Sequence, residues 1–272
     1  RPMVAINQWE QAADSMYTLC GKDRIHPSTD GHLVMAYLFL KAQGLAGKPV
    51  ADIRIDGAGK KVTRSDNCRV SDLSVSSDNL TFTYEAKSLP YPIDTSYYDN
   101  EKHTQADALS VIPFMDEMNY EGLSVSGLLD GYYGLTIGGE FIGRFTAREL
   151  ERGINMALLQ NTPQYKQAMK IRQMNEERWL KERKMREFYW VEYNLMRKTG
   201  MLWACNEAAV DTLRKYRPHD IFLQWNGALW LQYMHKGIRE DCVNEQQDLV
   251  NQIYEQNKPI PLRIEIKKFT DL

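Results

Sequence analysis

Apolar residues recur with helical spacing over HLVMAYLFLKAQG, and this spacing predicts a helix ending near Gly44. Ser28, Thr29 or Asp30 can cap its start, and Gly44 stands where a glycine leaves a helix. Ahead of it, MVAINQW reads as the close of a strand or a loop, AADSMYTLC carries a short helical pattern, and GKDRIHPSTD reads as a loop. The pattern then shortens to a period of two. ADIRID, RVSDLSVS and LTFTYEAKS are strand-like and are separated by the turn signals DGAG and SSDN. SLPYPIDTSYYDN is a loop, and LSVSGL, YYGLTIGG and EFIGRFT are further short strands, the last two joined at Gly138-Gly139 as a hairpin. Helical spacing returns with a capping box, Thr146 followed by Glu149. Thr162 caps a second helix with Pro163 at its first position, and this helix is expected to run unbroken to Thr199 before Gly200. Two more helices follow at about 202–216 and 220–256, with Pro218 between them, and PIPLRIEIKKF finishes as an extended edge or tail segment.

This reading divides the chain into 1–48, a small antiparallel β module at 49–145, and a long-helix region at 146–272. The hydrophobic share of 43% supports a sizeable core, and a charged share of 26% is that of a globular chain. A net charge of −2 supplies no global attraction for nucleic acid or an anionic membrane, so neither is expected as a partner. No apolar run approaches the roughly 18 residues that a membrane span needs. No secretory leader is visible at RPMVAINQW. Cys20, Cys68, Cys205 and Cys242 form neither a CxxC pair nor a Cys/His cluster, so isolated thiols are expected and no structural zinc.

The chemistry concentrates in DRIHPSTDGH, Asp23 to His32. A general-base imidazole must accept a proton on one nitrogen while holding its own on the other. A carboxylate on that second nitrogen fixes the tautomer and stabilises the imidazolium. Asp23 stands three residues before His26, close enough in a tight loop to fold back onto it, and Pro27 restricts the His26 backbone to extended angles. His32 is expected to be structural or solvent-facing, and Asp30 a cap rather than a catalyst.

The Asp-x-x-His-Pro pattern, followed by Gly31-His32 and an apolar helix, resembles the last conserved block of the SGNH (GDSL-type) serine hydrolases. The resemblance implies that residues 1–48 are the end of an α/β domain with a flavodoxin-like three-layer sheet. It implies that His26 is general base to a serine and that Asp23 orients His26. It further implies an esterase or acylhydrolase acting on acyl esters, acetylated carbohydrate among them, with no metal or organic cofactor. The family's habits in bacteria imply a periplasmic or extracellular location. The family's Gly-Asp-Ser block, its oxyanion-hole glycine and its Gly-x-Asn-Asp-like block are not found here. Ser15 lacks the preceding glycine, Asn7 lacks its flanking partners, and Ser65 and Ser71 read as ordinary serines. The nucleophile and oxyanion hole are therefore expected outside this chain, which alone would be inactive and would pair with its N-terminal half or oligomerise. The alternative left open is a non-catalytic carbohydrate-binding or assembly module that keeps the Asp-x-x-His.

Beyond residue 48, GLTIGGEFIGRFTARELERGINMALLQNTPQ is similar to a C-terminal extension of some large bacterial GDSL-like hydrolases, carried by Leu150, Gly153, Ile154, Asn155 and Ala157. Asn155 and Asn161 are expected to be buried or capping. The aromatic residues of the helical region, among them Trp179, Phe188, Trp190, Tyr193, Trp225 and Trp230, are expected to pack helix on helix, with a sugar-binding platform as the other reading. Tyr91, Tyr97, Tyr98, Tyr132 and Tyr133 are candidate carbohydrate contacts.

Overall fold

The computed structural model describes residues 1–21, 23–96 and 103–269. It divides into two compact units, one of residues 1–169 with 258–272 and one of residues 170–257.

The first unit opens with helices α1 (Pro2–Gln11) and α2 (Thr29–Ala42). Strands β1 (Ala51–Asp56), β2 (Lys61–Asp66), β3 (Cys68–Val75) and β4 (Asn79–Ala86) follow, then the short helix α3 (Phe114–Glu117). Strands β5 (Glu121–Ser126), β6 (Tyr132–Ile137) and β7 (Glu140–Thr146), helix α4 (Ala147–Arg152) and strand β8 (Ile154–Asn155) lead to the start of helix α5 (Pro163–Val191). The last strand is β9 (Leu262–Lys268). The strands form two sheets, β2-β1-β5-β8 and β3-β4-β9-β6-β7. Ile53, Ile55, Leu123 and Val125 of the first share one core with Phe82, Leu135, Ile137, Ile264 and Ile266 of the second.

Local expectations are corrected at several points, and residues 12–20, expected to carry a short helical pattern, form turns and no helix. The 49–145 module is not wholly antiparallel, because β1 and β5 run parallel, Ala51 beside Glu121 through Asp56 beside Ser126. LRIEIKK is no edge or tail: β9 pairs with β4 on one side and β6 on the other, and its Ile264 and Ile266 are fully buried. Residues 2–11, read partly as strand or loop, are helical. The capping box stands as read, with Thr146 Oγ1 accepting from the Glu149 amide and Glu149 accepting from the Thr146 amide. Gly138 and Gly139 turn the β6–β7 hairpin at φ 60° and 85°.

α2 packs Leu33, Val34 and Tyr37 with Leu19, Ile93, Ala108, Phe114 and Met115 in a separate cluster of the same unit. Burying such side chains contributes about 1.5–3 kcal/mol each, and this cluster anchors the loop that precedes α2.

The second unit is helical. Its part of α5 gives way to a π-helical turn at Glu192–Met196, so the helix does not run in α form to Thr199. α6 (Glu207–Tyr216) starts five residues later than expected, where the Asn206 side chain accepts from the Ala209 amide at 3.0 Å. The expected helix at 220–256 is two helices, α7 (Ile221–Tyr233) and α8 (Lys236–Gln256). Arg239 Nη1 donates to the carbonyls of Tyr233 and Met234 at 2.6 and 2.8 Å, which satisfies the end of α7 and lets the chain turn at His235. Phe188, Val191, Met196, Ala209 and Trp230 are fully buried in this core.

Candidate active site

The Asp23–His26 loop is held at its base by backbone pairing. The Leu19 amide donates to Asn7 Oδ1 at 3.0 Å, the Ser28 amide to the Leu19 carbonyl at 3.1 Å, and the Gly21 amide to the His26 carbonyl at 2.7 Å. A β-bridge joins Cys20 to Pro27. Ser28 Oγ donates to both the Leu19 carbonyl and the Asp30 carboxylate, and Asp30 also accepts from the Gly31 amide at 2.8 Å. Asp30 is almost fully buried, with His103 Nδ1 3.7 Å from its carboxylate. Gly31 is required by contact: a Cβ there would lie 2.0 Å from the Leu19 carbonyl oxygen. The start of α2 is thus pressed onto the segment that launches the loop.

At the tip, Arg24 takes φ 57°, and this left-handed residue reverses the chain. Asp23 Oδ1 accepts from the amides of Ile25 and His26 at 2.9 and 3.0 Å, and Oδ2 lies 2.5 Å from His26 Nδ1. The hydrogen bond from the His26 ring, with the two amides, holds the Asp23 carboxyl at about 2, below the ordinary 3.8. Asp23 is therefore an acceptor at any working pH. With Nδ1–H directed at Asp23, Nε2 keeps its lone pair, which is the tautomer a general base needs. The His26 side chain is 84% exposed, so nothing in this loop covers that nitrogen.

The structure brings Asp23 and His26 together as the spacing predicts. Among the described residues, no serine hydrogen-bonds to His26. Asn7 accepts from the Leu19 amide and braces the loop, Ser65 donates to the Cys68 carbonyl, and Ser71 donates to Asp72. His32 is exposed on α2. Asn155 accepts from the Glu121 and Ala157 amides and donates to the Met115 and Asn119 carbonyls, and Asn161 donates to the Ile142 carbonyl. Of the tyrosines, Tyr133 is buried, Tyr91 holds Gln105, Tyr132 stacks under Arg144 at 3.7 Å, and Tyr97 and Tyr98 lie outside the described residues. The Ser28–Asp30–Gly31 clamp was not singled out from the sequence. Its one signal is the small, polar run S-T-D-G directly after the His-Pro pair.

The described residues contain no group of three or more His, Cys, Asp or Glu side chains able to hold a metal ion. None of the described helices is long and apolar enough to cross a membrane. The four thiols are free, with Cys68 and Cys242 buried and Cys205 exposed.

Residues 169–258 match the model of a family described as the diltiazem deacetylase C-terminal helical domain. The match coincides with the second unit, 170–257. No curated protein matches the chain. Among solved structures it is similar to a gut microbial diltiazem-metabolizing enzyme, at 42% sequence identity and a TM-score of 0.92 over 98% of this chain. The chain spans 61% of the length of that protein.

Proposed function

We propose that this chain belongs to an ester hydrolase of the SGNH type that removes acyl groups, acetyl among them, with His26 as general base and Asp23 as the carboxylate that orients it. The observation that carries this reading is the Asp23 Oδ2 to His26 Nδ1 contact at 2.5 Å, on an exposed loop whose base is clamped. The likeness to a diltiazem-metabolizing enzyme, and to the helical domain of a diltiazem deacetylase, supports it. The family description names a deacetylase and the solved structure's a diltiazem-metabolizing enzyme, and deacetylation is the coarsest reading that fits both.

In this proposal the nucleophile is a serine outside these 272 residues. His26 Nε2 takes the serine proton as Oγ attacks the ester carbonyl, and then gives it to the departing alcohol oxygen. Water attacks the acyl-serine next, losing its proton to Nε2. The acid leaves and the serine is reprotonated, so no redox partner is consumed. Asp23 stays ionised throughout and stabilises the imidazolium that forms at each attack.

A fluorophosphonate probe tests the serine. Incubated with the whole gene product, it should add one adduct, located by peptide mass on a serine outside this stretch. Adduct formation should slow by about 10³-fold or more in His26→Ala. Absence of any adduct on the whole product, with the fold intact, contradicts the proposal.

A further inference from the structure

The second unit holds an open groove that the hydrolase reading does not use. It has a volume of about 550 Å³ and is lined by Met185 and Tyr189 of α5 and by Lys236, Arg239, Glu240, Asp241, Val243 and Asn244 of α8. Ligand sites are usually of this size and combine an aromatic wall with a few polar groups.

The wall continues past the groove. Tyr189 meets the Trp203 ring edge-on at 6.0 Å, and Tyr193, one turn further along, meets the same ring at 5.8 Å. The three rings are 38%, 45% and 45% exposed for Tyr189, Tyr193 and Trp203. The chain holds Trp203 there at a conformational cost, since it adopts φ 63°, a left-handed angle that bulky residues rarely take. Buried Glu192, at the head of the π-helical turn, fixes it: one carboxylate oxygen accepts the Trp203 amide at 2.8 Å and the other accepts the Trp230 indole at 2.7 Å. π-helical turns are rare and are frequent at functional positions. Packing alone does not call for this effort, because Trp203 stays half exposed.

The polar floor selects the occupant. Lys236 and Arg239 are matched by Glu240 and Asp241, so the groove offers no net charge to an anionic or cationic ligand. Lys236 is paired with Glu240 and Arg239 is committed to two backbone carbonyls, whereas Asp241 and Asn244 have no partner among the described residues and can meet hydroxyl groups. The exposed Tyr189 ring, in the same groove as a carboxylate and an amide without partners among the described residues, suits a neutral ring with an apolar face and a hydroxyl rim. We propose that this groove, together with the Tyr189–Trp203–Tyr193 ring cluster that continues from its Tyr189 wall, binds a saccharide.

Neither Asp23 nor His26 lines this groove, so saccharide binding there is separate from the hydrolytic pair. It is tested by native-gel retardation of the whole gene product in gels containing xylan, pectin or mucin glycans. The native protein should be retarded in at least one gel, and His26→Ala should be retarded equally. Trp203→Gly removes the ring at a φ that glycine adopts freely, so the protein should stay folded by circular dichroism while binding weakens about tenfold or more. The double variant Asp241→Ala/Asn244→Ala changes only exposed helix positions and should weaken binding as well. Trp225→Ala, an exposed aromatic of α7 that touches none of these three rings, should bind as native. Native mobility in all three gels, or full retardation of both the Trp203 and the Asp241/Asn244 variants, overturns the proposal.

Discussion

Raising the pH should loosen the first unit through one buried acid. Glu121, at the start of β5, is fully buried. Its Oε1 accepts from the Tyr84 hydroxyl at 2.8 Å and from Gln164 Nε2 at 3.2 Å, while Oε2 has no partner among the described residues. Burial pushes its carboxyl up to about 7 from 4.5, and the two hydrogen bonds offset only part of that. A carboxyl raised by folding contributes stability that is fully present below about pH 4.5. That stability is lost as pH rises through about 7, because the unfolded chain releases its proton first. A displacement of about 2.5 units at about 1.4 kcal/mol each gives about 3.5 kcal/mol lost in full once the pH is well above 7. Glu121→Gln keeps the shape and the acceptor oxygen and cannot ionise. Urea unfolding of both proteins at pH 5 and pH 9, followed by circular dichroism, isolates the effect, because every other titrating group is shared. The native protein should lose about 2.5 kcal/mol more than the variant between the two pH values, the rest having been lost below pH 5. Equal losses would refute a neutral, buried Glu121.

Gly31→Ala places a methyl against the Leu19 carbonyl, and the close contact should cost about 1–3 kcal/mol while shifting the loop that carries His26; urea unfolding and loss of esterase rate check this together. A ¹³C-carboxyl titration of Asp23 should show a midpoint near 2 that climbs toward 3.8 in His26→Ala, and an unmoved midpoint would separate the two side chains. Ile264→Ala, in the middle of the five-stranded sheet, should cost about 2–5 kcal/mol in urea unfolding, more than an edge-strand truncation would.

Local signals carried the parts of the fold that are themselves local. The apolar spacing of α2, the Thr146–Glu149 capping box, Pro163 after Thr162, and the two glycines of the β6–β7 turn each act within a few residues. They were legible for that reason. β9 was not, since its place between β4 and β6 depends on residues more than a hundred positions away. β2 was missed because it is an edge strand with polar faces, KVTRSD, and shows no buried alternation. The parallel pairing of β1 with β5 leaves no mark on either strand alone. The break between α7 and α8 depends on Arg239 reaching back to two carbonyls. At the site the same division holds. The Asp23–His26 pair is encoded by a three-residue spacing, whereas the Leu19–Ser28–Asp30 clamp and the contact at Gly31 exist only once α2 packs.

The central claim is that His26 Nε2 moves the proton during acyl transfer. The most direct test is the rate of p-nitrophenyl acetate hydrolysis by the whole gene product, compared with His26→Ala and Asp23→Asn. The account predicts that kcat falls by about 10³-fold or more for His26→Ala and by a comparable factor for Asp23→Asn, with unchanged melting temperatures. Full activity in a folded His26→Ala protein would contradict it.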